Sequence, residues 1–103
     1  MPNPTTITVS IDIETGNMTV DPTLAYVSAN FGVTWHLVSG SSLTISFPNQ
    51  SPFSQQQLRS DTQDVPVTEI SENAQGVYHY SVAAVGPNGK IYTIPGCPEI
   101  VVQ

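Results

Sequence analysis

The last third of the chain contains two stretches typical of neighbouring β-strands, Gly76-Val77-Tyr78-His79-Tyr80-Ser81-Val82 and Pro98-Glu99-Ile100-Val101-Val102. In the first stretch Tyr78 and Tyr80 occupy alternate positions, and alternate positions of a strand point to the same face of a sheet. We predict that the two stretches form the closing strand pair of a small β-sandwich.

Earlier segments show the same alternation of apolar and polar residues, at positions 7–13, 33–37 and 43–47. This pattern predicts one buried face on each strand, with Trp35 as the anchor of the core. Residues 65–70 alternate less clearly, which predicts an edge or bulged strand. Residues 49–64 show no period and are predicted to be irregular, with one helical turn at most. About eight short strands in all favour a sandwich or a barrel.

Length and composition favour one all-β domain. The chain has 103 residues, and we expect a single domain over residues 1–103. Apolar residues make up 39% of the chain, and the core candidates are mainly Val, Ile, Tyr, Phe and Trp, the residue types that favour strands.

Charged residues are scarce and mostly acidic, with eight Asp or Glu against Arg59 and Lys90 and a net charge of −6. Two basic side chains cannot supply the counterion release that drives nucleic-acid binding, so we expect no nucleic-acid partner. No apolar run approaches the roughly 20 residues of a membrane span, so we expect no membrane insertion. No signal peptide is visible, which predicts a cytoplasmic or non-classically exported protein.

Two regions resemble the cupredoxin family. Residues 65–70 followed by Gly76-Val-Tyr78-His-Tyr80 are similar to that family's apolar strand and Gly-x-Tyr-x-Tyr segment, and Val20-Asp-Pro22 through Trp35 is similar to an earlier part of it. The resemblance implies an antiparallel or mixed Greek-key β-sandwich. It places the Trp35 strand beside residues 65–70, and the Tyr78 strand beside a C-terminal strand that runs parallel to an early segment.

An immunoglobulin-like sandwich is the alternative fold. Immunoglobulin-like and fibronectin-like domains use related Trp and Tyr-x-Tyr positions. In an immunoglobulin-like topology, residues 33–38 would pair directly with residues 77–82. The neighbour of the Trp35 strand therefore distinguishes the two folds.

The residues that hold copper in cupredoxins are missing. A type 1 copper site needs a thiolate, two imidazoles and a weak axial ligand. Val82 stands where the resemblance implies the Cys, Ser41 and Ser42 stand where it implies one His, and residues 83–96 contain neither His nor Met. We therefore expect no copper and no other cofactor. The expected function is a non-enzymatic binding or structural module, with an unidentified protein or carbohydrate partner.

A metal-binding or redox protein using His36, His79 or Cys97 is the alternative function. Alternation turns both histidines outward, and in the immunoglobulin-like arrangement they would be cross-strand neighbours able to share a metal ion. The simpler interpretation is two surface histidines without a ligand. A reactive Cys97 would need a nearby cation, helix N-terminus or metal to lower its pKa, and a packed, inert thiol is the alternative.

Phe53 and Tyr92 are the candidate ligand contacts. Both lie in less periodic parts of the chain, and exposed aromatic rings on a polar surface can bind sugars. The alternative interpretation is that both rings cap the ends of the core.

Overall fold

The computed structural model describes residues 4–94 and 98–103. These residues form eleven strands and no helix, which confirms the all-β prediction and exceeds the expected eight or so strands. The strands are β1 Thr5–Asp12, β2 Asn17–Asp21, β3 Leu24–Val27, β4 Gly32–Leu37, β5 Ser42–Ser46, β6 Gln57–Ser60, β7 Asp64–Glu69, β8 Gly76–His79, β9 Ser81–Val85, β10 Ile91–Ile94 and β11 Glu99–Val102.

Four strands in the order β2-β1-β4-β7 form one sheet, here called the first layer. β1 pairs with β2 in an antiparallel hairpin and with β4 in parallel. β7 lies at the edge, and its register against β4 shifts between Val33 and Trp35. The prediction of an edge or bulged strand at residues 65–70 is therefore confirmed.

The other strands form two sheets, β3-β11-β8 and β10-β9-β5-β6. Tyr80 joins them, because it links β8 to β9 and its N–H donates to the Pro98 carbonyl at 3.1 Å. Every second residue from Tyr78 to Ala84 is buried, so the alternation continues through the junction. The two sheets therefore act as one continuous surface, here called the second layer.

The strand neighbours predicted from the sequence are present. The Trp35 strand β4 pairs with β7, and Tyr78 lies opposite Ile100 in the pair β8–β11. β11 also runs parallel to β3, an early segment. Within the described ranges β4 and β8 lie in different sheets, so the pairing required by the immunoglobulin-like alternative is not formed.

One core lies between the two layers and gives the molecule a sandwich-like form. Trp35 of the first layer is fully buried, as predicted. Its indole meets the Tyr80 ring of the second layer edge-on, with ring centroids 5.6 Å apart. Such aromatic pairs add to the free energy gained from burial alone. The inward apolar residues of the two layers therefore meet in shared aromatic contacts.

The main error of the sequence-based prediction lies in residues 49–64. Instead of an irregular segment with a helical turn, this region contains β6, which pairs antiparallel with β5. Only Leu58 of β6 is buried. A four-residue strand with one inward side chain leaves almost no periodic signal. Ile13, expected to continue the buried face of β1, lies beyond the end of that strand and is exposed.

Candidate functional site

His36 forms a cross-strand pair with Asp64 on the outer face of the first layer. The register of β4 and β7 places the two residues opposite each other, and alternation turns both outward. His36 Nδ1 lies 2.7 Å from Asp64 Oδ1. Both side chains are largely exposed, and exposed ion pairs contribute little to stability because water screens them.

His79 forms a similar but looser pair on the second layer. It lies opposite Glu99 in the pair β8–β11, with 3.6 Å between His79 Nδ1 and Glu99 Oε1. The two histidines thus belong to different layers and are not cross-strand neighbours. No group of three or more His, Cys, Asp or Glu able to hold a metal ion occurs within residues 4–94 and 98–103. Cys97 lies outside the described residues.

Phe53 is not an exposed ligand contact, and its alternative position at the end of the core is the observed one. Its side chain is only 5% exposed. The ring packs edge-on against Trp35 and Phe47, at centroid distances of 5.9 and 5.7 Å. The loop folds Phe53 inward because Ser51 Oγ donates to the Gln55 carbonyl and accepts from the Phe53 N–H.

Tyr92 is half-buried and supports the turn between β9 and β10. Its hydroxyl accepts a hydrogen bond from Asn88 Nδ2 at 2.8 Å. Its ring covers Gly86 so closely that a Cβ at that position would come within 2.7 Å of Tyr92 Cε2. The ring is therefore held by the hairpin, and little of it is free to contact a ligand.

Two polar atoms of the aromatic core lack hydrogen-bond partners. These atoms are the Trp35 indole nitrogen and the Tyr80 hydroxyl, with no partner of suitable geometry in the described part of the chain. Burial raises the pKa of Tyr80 to about 12, and the nearby Trp35 N–H, which favours the phenolate, offsets this only in part. Tyr80 is therefore neutral at physiological pH, and it lies in the core rather than at a binding surface.

The outer face of the second layer exposes apolar side chains in neighbouring strands. Tyr26 of β3, Val101 of β11 and Val77 of β8 lie opposite one another in one cross-strand row, and Tyr26 and Val77 are 59% and 54% exposed. The residues of this surface, here called the apolar face, are Leu24, Tyr26, Val77, Val85, Ile91 and Val101. Ile91, at the other end, is 73% exposed.

The outer face of the first layer has a different composition. Hydroxyl side chains cover β1 and its neighbours, with Thr6 opposite Thr34 and Ser10 opposite Thr19. Apolar side chains are exposed on this side too, at Val67 of β7 and, next to β1 and β4, at Ile13, Phe31 and Val38. The higher content of hydroxyl side chains could not be linked to one layer from the sequence, because both layers show similar alternation.

Charge is distributed unequally between the two layers. Of the eight acidic residues, all within the described ranges, Glu99 is the single one in a second-layer strand, and it faces His79. Four others lie in first-layer strands, at Asp12, Asp21, Asp64 and Glu69, and Glu14 lies in the turn between β1 and β2. Asp61 and Glu72 lie in the segments that join β7 to the second-layer strands β6 and β8. Both basic residues lie on the second-layer side, Arg59 in β6 and Lys90 in the turn before β10.

Two shallow cavities are present on the described surface. One, of about 180 Å³, lies on the apolar face between Arg59 and Ile91, with Ser42, Thr44 and Ala83 among its lining residues. The other, of about 240 Å³, is lined by Met18, Thr19, Val20, Thr23, Ile94 and Pro98. Both are smaller than the roughly 300–1,000 Å³ typical of ligand pockets. Neither of these two cavities therefore reaches the size of a typical ligand pocket.

Neither a comparison with models of known protein families nor a search among curated proteins finds a match for this chain. No helix long and apolar enough to cross a membrane occurs in the part of the chain that the structure describes.

Proposed function

We propose that this chain is a non-enzymatic binding module on a copper-less, cupredoxin-like β-sandwich. The strand order supports the family resemblance, since β4 lies beside β7. β11 runs parallel to β3, as it also would in a variable-type immunoglobulin sandwich. These were the neighbours that the resemblance implied.

The position of Val82 supports a role without copper. The resemblance implies a Cys at this position, and here an apolar side chain points into the core, 1% exposed. Valine has no atom that can bind a metal. The neighbouring residues 83–94 supply no imidazole or thioether in its place.

The apolar face is the observation that carries the binding function. Large contiguous apolar patches are uncommon on monomeric proteins and often mark interaction sites. On this face Tyr26, Val77 and Val101 form a continuous row, and covering them would remove apolar surface from water at roughly 25 cal/mol per Å². Glu99 is the single acidic side chain in the described strands of this layer, so a partner could cover the face with little loss of charge hydration.

A protein partner fits this face better than a carbohydrate. Sugars bind against aromatic rings, and among the described outward residues of the apolar face Tyr26 is the one aromatic. Phe53, one of the two predicted sugar contacts, is buried. Aliphatic side chains such as Val77 and Ile91 instead resemble the core of a protein interface.

A metal-binding or redox role using His36, His79 or Cys97 has less support. Each histidine faces a carboxylate of its own, Asp64 or Glu99, in a different layer. A metal ion shared by the two histidines would need them to be neighbours.

A matched pair of variants tests the proposed function. Val77→Asp places a carboxylate on the apolar face, and Val67→Asp places one at a similarly exposed valine of the first layer. The wild type and the Val67→Asp variant should retain proteins captured from the source cell. The Val77→Asp variant should no longer retain them. Equal capture by all three, or loss with Val67→Asp alone, would contradict a binding role for the apolar face.

A further inference from the structure

We infer that Arg59 and the cavity beside it form a carboxylate-binding site at one end of the apolar face, here called the Arg59 site. The ligand is an Asp or Glu side chain of the protein partner, flanked by apolar residues. This inference rests on the proposed function, because it names the chemistry that the partner presents to the same face. Four features carry it: the strand register, the unpaired polar groups, the charge distribution and the cavity.

The strand register places Arg59 beside short side chains on the outer face of the second layer. Arg59 of β6 lies opposite Thr44 of β5, and Thr44 lies opposite Ala83 of β9. The neighbouring Leu58 is buried, so alternation turns Arg59 outward, where it is exposed. Directly opposite side chains have Cβ atoms roughly 4.5–5.5 Å apart. The long arginine side chain therefore lies at the edge of a surface of short side chains.

Arg59 has no ion pair with any described residue, although the chain has eight acidic residues. Asp61, the nearest of them in sequence, lies beyond the end of β6 and does not line the cavity. The hydroxyls of Ser42 and Thr44 likewise form no hydrogen bond within the described part of the chain. A guanidinium binds a carboxylate through two parallel hydrogen bonds. Arg59 and the two hydroxyls are thus free to donate to one carboxylate.

The sheet that carries Arg59 has no acidic residue in its strands. β10, β9, β5 and β6 contain neither Asp nor Glu, whereas each of the other two sheets contains at least one. Lys90, in the turn before β10, adds a second positive charge at the opposite edge of the same sheet. On a molecule with a net charge of −6, an anion therefore meets the least repulsion on this sheet.

The cavity of about 180 Å³ next to Arg59 limits the size of the ligand. Besides Arg59 it is lined by hydroxyl and apolar side chains and by no carboxylate, with Ser42, Thr44, Ala83, Val85 and Ile91 among them. It is smaller than a typical ligand pocket, so it suits one side chain of a partner better than a whole small molecule. Apolar residues next to that side chain would cover Ile91, which is 73% exposed.

Titration with two matched peptides, followed by backbone amide chemical shifts, tests the inference. The probes are acetyl-Leu-Glu-Leu-amide and acetyl-Leu-Gln-Leu-amide, which differ only in the charge of the central side chain. The Glu peptide should shift the amides of Thr44, Arg59 and Ala83. It should bind with a roughly millimolar dissociation constant and at least about threefold more tightly than the Gln peptide, because exposed ion pairs are weak. Equal binding of the two peptides, or shifts centred in the first layer, would overturn the inference.

A pair of charge-removing variants identifies the cation that recognises the carboxylate. Arg59→Gln should abolish the preference for the Glu peptide, and Arg59→Lys should keep only part of it, because lysine lacks the planar fork. Lys90→Gln is the matched control, because Lys90 does not line the cavity, and it should keep the preference. A preference that survives Arg59→Gln, or that Lys90→Gln abolishes equally, would overturn the Arg59 site. Thermal unfolding verifies that the variants remain folded.

Glucuronate distinguishes an acidic carbohydrate from an acidic protein side chain. Glucuronate that binds more tightly than the Glu peptide, and loses this binding with Arg59→Gln, would overturn the assignment of the ligand to a protein.

The Arg59 site and the proposed function can fail separately. Selective capture of a protein that is lost with Val77→Asp, together with no preference for the Glu peptide, would overturn the Arg59 site and leave the proposed function standing. An Arg59-dependent preference without selective capture would contradict the proposed function and support the Arg59 site as a carboxylate-binding site.

Discussion

The two outer faces of this molecule are built from similar short strands and differ in what they expose. The first layer presents Thr6, Thr8 and Thr34 with nearby carboxylates, whereas the second presents Tyr26 and Val77 with Glu99 as the one carboxylate in its described strands. Inward residues of both layers are constrained by one shared core. Outward residues are not constrained by the core. The difference between the two outer faces therefore reflects what each face contacts, which is water on the first layer and, as we propose, a partner on the second.

Both layers share one core, and the substitution Trp35→Ala tests this with the largest expected effect. The indole contacts Tyr80 of the second layer and Phe53 of the connecting loop. We expect a loss of about 3–5 kcal/mol in the free energy of unfolding, a large part of the stability of a small domain. Chemical denaturation followed in both layers should show one transition. An unchanged midpoint, or separate transitions for the two layers, would refute a shared core.

Tyr80 gives a second test from within the second layer. Its pKa is raised from 10.0 to about 12 by burial, so the native state keeps its proton where the unfolded state loses it. Stability is therefore fully present below pH 10 and falls between pH 10 and 12, by at most about 2.7 kcal/mol. Unfolding measured across this window should show the fall in the wild type. Tyr80→Phe should lack this contribution, and parallel curves for the two proteins would contradict it.

Gly40 tests how firmly the two layers are joined. It follows β4 with φ of 145°, and a Cβ there would collide with the Val85 carbonyl oxygen of β9 and approach a methyl of Leu37. Gly40→Ala should therefore cost about 1–3 kcal/mol. Gly89→Ala is the control, because Gly89 also has positive φ but no atom near its added Cβ. Equal thermal shifts for the two variants would show that close contact between the layers is unimportant at Gly40.

The smallest expected effect is on the stability of the surface variants. Val77→Asp and Val67→Asp change valines that are both more than half exposed. Each should alter the free energy of unfolding of the monomer by no more than about 0.5 kcal/mol. Thermal unfolding of dilute protein provides the measurement. A much larger loss for Val77→Asp would mean that this residue supports the fold. The binding role of the apolar face would then be tested with the uncharged substitution Tyr26→Ser instead.

Sequence periodicity was sufficient to predict the buried faces of β1, β4, β5 and β8, because each alternates apolar with polar residues over several positions. It could not predict β6, where Leu58 is the one inward residue. The burial of Phe53 could not be predicted from periodicity either, because it depends on the Ser51 hydrogen bonds that fold the loop inward.

The candidate binding surface could not be predicted for a different reason. In β3, Ala25 and Tyr26 are both apolar, so local sequence does not show which of the two is exposed. The apolar face appears only when β3, β11 and β8 are placed side by side. The separation of charge likewise depends on the assignment of each carboxylate to a layer.

The most direct test of the binding face is a titration of the labelled wild type with a protein captured from the source cell, followed by backbone amide chemical shifts in nuclear magnetic resonance spectra. We predict that the captured protein changes shifts in β3, β8 and β11, around Tyr26, Val77 and Val101. The amides of β1, β4 and β7 should stay unchanged. Changes centred on Thr34 and Val67 in the first layer would contradict the assignment of binding to the apolar face.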